Sequence, residues 1–214
     1  MTSHSGFGPS IRNNGLPLPL SIRVFRRFRI AILLYILLFV ALGEFLTARR
    51  STSWDDPLWV DVYLTNAGGE RTAAYLASLD TGAFEAVELY FANQARAHGL
   101  ELERPFRIRL AGELDREIPG VPTEGGFLSA IAFSLRMRWF VTKLHWASDT
   151  PTPDITVFAA YHEAETGIAL DRSTALRKGM IAVANLFASH QARSSNQVVV
   201  AHELLHTLGA TDKY

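Results

Sequence analysis

Residues 202–212 read His-Glu-Leu-Leu-His-Thr-Leu-Gly-Ala-Thr-Asp, and the side chains in this stretch are those from which a metal centre can be built. Residues four apart on a helix share a face. His202 and His206 therefore offer two imidazoles to one point in space, a donor pair suited to a divalent cation and above all to zinc. Glu203 sits one position further on, so its carboxylate leans beside such an ion. That is the place for a group that takes a proton from water activated by the metal. Gly209 permits the positive φ that ends a helix. The chain can then fold back and bring Asp212 to the ion as a third ligand.

The preceding residues predict the helix that must carry this pair. Ser194, followed three residues later by Gln197, fits a capping box. Val198, Val199, Ala201, Leu204, Leu205 and Leu208 supply an apolar body. The expectation is a helix over residues 195–208, stopped at Gly209.

These eleven residues resemble the long zinc signature of metzincin-type metallopeptidases, in which the third ligand is usually a histidine. Asp212 in that place, with Tyr214 two residues later, resembles the snapalysin-type variant. The resemblance implies one zinc ion held by His202, His206 and Asp212, Glu203 as the catalytic base, and Tyr214 as an aid to the oxyanion. It implies a zinc-dependent metalloendopeptidase acting on peptide or protein substrates. It covers about the last twenty residues at the level of motif. The family's methionine turn, expected downstream of the third ligand, has no counterpart. The only methionines are Met1, Met137 and Met180. The expectation is a domain cut short after Tyr214. Two other readings stay open: a catalytically inactive zincin-like binding or structural protein, and a zinc hydrolase of non-peptide substrates.

Residues 30–43 (IAILLYILLFVALG) carry no charge. Extended to residue 48, the run would make a helix about 28 Å long, close to the hydrocarbon thickness of a bilayer. Arg12, Arg23, Arg26, Arg27 and Arg29 precede it, and only Arg49 and Arg50 follow. This asymmetry predicts a cytoplasmic amino terminus and an extracytoplasmic domain. Residues 1–22 read as a disordered cytoplasmic tail, 23–50 as a single-pass signal-anchor helix in contact with lipid through 30–48, and 51–214 as the catalytic domain. A cleaved signal peptide with secretion is the alternative, and a buried core helix a third reading.

Charge follows the same division. Whole-chain net charge is zero, yet residues 51–214 hold fourteen basic and twenty acidic side chains, a net of −6. An acidic domain lacks the basic footprint that nucleic acid requires. With no cysteine, disulfides and thiolate metal sites are excluded.

The rest of the domain must position the metal helix. Patterning predicts strands at 58–64, 106–110, 154–161 and 180–187, and helices at 83–98 and 127–143. Gly68-Gly69 and Gly125-Gly126 read as turns. The expected fold is α+β: a mixed, twisted, zincin-like sheet backed by helices, with the metal helix at the carboxyl end. The resemblance implies that residues 180–187, the strand just before that helix, edge the cleft and pair with a substrate chain; an ordinary sheet strand is the alternative. His162 reads as a surface or loop-anchoring residue, with a place lining the cleft as the alternative, His98, His145 and His190 as structural, and Arg136 with Arg138 as a solvated helix face.

Overall fold

The structure is a computed structural model that describes residues 20–120, 126–164, 170, 173–176 and 179–212. It divides into two units, residues 1–46 and 47–214.

The first unit is carried by α1 (Leu20–Ser53), a 34-residue helix that runs on into the second. Its apolar side chains, Leu33, Leu34, Tyr35, Leu37, Leu38 and Phe39 among them, are exposed on every side. Among the described residues no helix is long and apolar enough to cross a membrane. The uncharged run 30–43 is about 21 Å long as a helix, short of a hydrocarbon core of about 30 Å. The side chains of Glu44, Thr47 and Ala48, which would extend it, lie outside the described residues. So do residues 1–19, expected to form the tail.

The second unit is built on five strands: β1 (Leu58–Asn66), β2 (Phe106–Glu113), β3 (Ile155–His162), β4 (Thr174–Leu176) and β5 (Ile181–Phe187). Their order in the sheet is β2-β1-β3-β5-β4. The β1–β2, β1–β3 and β3–β5 pairs are parallel, and β4 runs antiparallel to β5. The sheet is mixed, as the patterning predicts. Strands and helices alternate along the chain, so the arrangement is α/β rather than segregated α+β.

Helices cover both faces. α2 (Glu70–Leu76), α3 (Glu85–Ala97) and α5 (Arg193–Leu208) lie on one face, and α4 (Phe127–Trp146) on the other. Period-two alternation explains the division. Leu58, Val60, Val62 and Leu64 of β1 point to the first face and meet Val87 and Phe91 of α3 and Val200 and Leu204 of α5. Tyr63 and Phe158 point the other way, onto Phe133, Met137 and Val141 of α4. Strands buried on both faces read as continuous apolar runs. This is why Ile155, Val157, Phe158 and Ala159 are all fully buried.

One expectation about the sheet is corrected. β5 does not edge a cleft: it is hydrogen-bonded to β3 on one side and β4 on the other. A short three-residue strand from a polar stretch takes the edge position. Too brief to show an alternation, β4 left no pattern in the sequence.

Candidate metal centre

β5 delivers the chain to α5 through a tight connection. Ser189 Oγ accepts from the Gln191 amide (3.2 Å), and the Ala192 amide donates to Ser189 O (3.2 Å). The turn runs straight into the helix, which starts at Arg193 with Ala192 at the cap position in a helical conformation. The expected capping box of Ser194 and Gln197 is not formed, since the turn already occupies that place. The Gln197 amide instead donates to the Ala83 carbonyl before α3 (3.1 Å).

Asn196 is the fastener that patterning did not reveal. Its Oδ1 accepts from the Phe187 amide (3.0 Å) and its Nδ2 donates to the Phe187 carbonyl (2.8 Å). This buried side chain thus continues the sheet's hydrogen-bonding at the end of β5 and locks the first turn of α5 to it. Val200 and Leu204 then seat the helix on the sheet, each fully buried. At about 100° per residue, His202 and His206 stand on the far side of the helix from those two leucine and valine anchors.

The helix ends as the glycine predicts. Gly209 has φ +98° and ψ 15°. Its amide donates to His206 O (3.0 Å) and the Ala210 amide to Leu205 O (3.0 Å). This pair of bonds is a Schellman closure. The reversal carries residues 210–212 back along the histidine face.

The result is a triangle of donor atoms. His202 Nε2 and His206 Nε2 are 2.9 Å apart. Asp212 Oδ1 lies 3.5 Å from the first and 3.3 Å from the second. Ligands about 2.0–2.1 Å from a tetrahedral ion are separated by roughly 3.4 Å. The three edges bracket that spacing, so the donor set fits a single small divalent cation. The His206 Nδ1 donates to the Ala210 carbonyl (2.9 Å), which leaves the Nε2 lone pair facing the other two donors. A ligating histidine is commonly fixed in this way. The three side chains retain 44%, 23% and 28% of their exposure, in the order His202, His206, Asp212. Solvent therefore reaches the triangle.

Glu203 is buried, at 4% exposure, on the flank of α5 shared with Thr207. Tyr214 lies outside the described residues. Beside the triangle a cavity of about 370 Å³ runs between α3 and α5, lined by Val87, Tyr90, Val198, Ala201 and Leu205, with His202 on its wall.

The other described histidines lie elsewhere. His162 Nε2 meets Asn185 Oδ1 (2.9 Å) across neighbouring strands. His145 Nε2 meets Thr156 Oγ1 (3.1 Å), and burial lowers the imidazole's pKa from its ordinary 6.5 against a weaker opposing effect of Asp61. His190 packs edge-on to Tyr75 with ring centres 5.1 Å apart. Among the described residues, His202, His206 and Asp212 are the one group of three or more such side chains whose donor atoms converge. No protein-family model, curated protein or solved structure matches the chain.

Proposed function

We propose that the protein is a zinc-dependent metallopeptidase. The observation that carries the reading is the convergence of two imidazole nitrogens and one carboxylate oxygen at tetrahedral spacing. Two nitrogens and one oxygen with an accessible fourth position form the donor set of a catalytic rather than a closed structural zinc site. His202, His206 and Asp212 would hold the ion. When bound, zinc supplies Lewis acidity and activation of water near neutral pH. Glu203 accepts the proton of the attacking water and returns it to the leaving amine. The Ala210 carbonyl keeps His206 in the ligating tautomer. The apolar cavity between α3 and α5 takes a hydrophobic side chain of the substrate.

Two further parts of the reading concern placement. The outer side of β4 is the sheet edge that a substrate chain would extend by main-chain pairing. α1, apolar all round rather than on one stripe, suits contact with lipid.

The test is hydrolysis of casein and of a peptide library by the full chain. Activity should vanish with a chelator and return with zinc. Hydrolysis that persists after exhaustive chelation refutes the proposal.

A further inference from the structure

α4 has two apolar faces, and the sheet uses only one of them. Phe133, Met137 and Val141 pack on the sheet. At about 100° per residue, Leu128, Ile131, Leu135, Trp139 and Trp146 form a stripe on the opposite side. Leu135 is 62% exposed, Trp139 55% and Trp146 76%. The stripe is about 27 Å long. Trp139 and Trp146 meet edge to face, with centroids 6.2 Å apart.

The polar border of the stripe is cationic. Arg136 is exposed beside it, and Lys143 Nζ stands 5.2 Å over the Trp139 ring. The twenty residues of α4 include no aspartate or glutamate, although residues 51–214 as a whole carry a net charge of −6. An acid-free, cation-bordered helix in an acidic domain is matched to an anionic surface. A second copy seated on the same stripe would bring Arg136 and Lys143 against like charges, with no carboxylate on the helix to offset them. Exposed tryptophans and leucines bordered by Arg and Lys are the composition of a helix lying in a membrane interface.

We infer that α4 docks its outer face on an anionic lipid bilayer, with Leu135, Trp139 and Trp146 inserted at headgroup depth and Arg136 and Lys143 on lipid phosphates. The inference is independent of the metal centre. It adds a second lipid contact to the one proposed for α1, and the two are separable by experiment.

The chain has no cysteine, so Leu135→Cys carries a unique environment-sensitive fluorophore. Glu101→Cys, in an exposed loop on the chain between α3 and β2, serves as the control. The full chain is placed with vesicles of phosphatidylcholine alone or of equimolar phosphatidylcholine and phosphatidylglycerol. Co-sedimentation with the neutral vesicles reports any contact through α1. The fluorophore reports α4. The expected result is a blue-shifted gain at 135 in the anionic vesicles and none at 101. Arg136→Gln with Lys143→Gln should weaken that docking by about 30-fold, at roughly one tenfold step per 1.4 kcal/mol and 1 kcal/mol per cation, while co-sedimentation persists. Three results would overturn the inference: no change at 135 in anionic vesicles, an equal change in neutral ones, or a change in detergent that grows with protein concentration and so marks a second copy.

Discussion

Glu203 and the three ligands differ in what their loss should do. Glu203→Gln keeps the size and burial of the side chain but removes its basicity. Turnover should fall by 10²-fold or more while bound metal is unchanged, as activity and elemental analysis on the same preparation will show. Metal content that falls with the change would remove Glu203 from the role of base. Gly209 is a different kind of residue. Its φ of +98° is strained for any side chain, so Gly209→Ala should cost about 1 kcal/mol of stability. The same change displaces the turn that returns Asp212 to the histidines. Weaker metal binding should therefore accompany the lower denaturation midpoint. The donor residues were legible because the site is local: eleven consecutive residues contain both helical spacing and turn. What fixes the His206 ring was not legible, because the partner is a main-chain carbonyl, Ala210 O, and any residue at 210 supplies one.

At the scale of elements, the long strands and helices were readable from periodicity, and the short pieces were not. The expected strand over 58–64 is β1, and the expected helix over 127–143 is the body of α4. α2, seven residues after two glycines, and β4, three residues, gave no period to read. The cost of missing β4 was topological: without it, β5 seemed to be the edge. Asn196 escaped notice because a lone asparagine in a helix's first turn signals nothing by itself. Its two bonds to Phe187 predict a large effect. Asn196→Ala takes the side-chain partner from the half-buried Phe187 amide, while the Phe187 carbonyl keeps the Ser189 amide (2.9 Å), and should destabilise the protein by about 1–2 kcal/mol, measurable by chemical denaturation. A loss below about 0.5 kcal/mol would show that this fastener contributes little to the α5–β5 junction.

Across the whole molecule, metal and protons should both act on stability. An ion that binds the folded chain alone raises stability by about 2.7 kcal/mol at a hundredfold excess over Kd. Chelation should therefore lower Tm in the wild type and leave it unchanged in His206→Ala. Acid acts through a second histidine, far from the ligands. Burial lowers the His145 pKa, so between that lowered value and the ordinary 6.5 the unfolded chain holds the extra proton. Stability then rises with pH across this window and is lost as pH falls below about 6.5. His145→Gln should flatten the dependence when measured on metal-free protein. A slope unchanged by the substitution would assign the acid sensitivity to other groups.

The central claim is that three side chains close on one ion, and metal stoichiometry tests it most directly. Protein loaded with zinc and freed of excess by gel filtration should retain one ion per chain. That ion should be lost in His202→Ala, His206→Ala and Asp212→Ala, each still folded by circular dichroism. Retention of less than about a tenth of an equivalent by the wild type, or full retention by the histidine variants, would contradict the account.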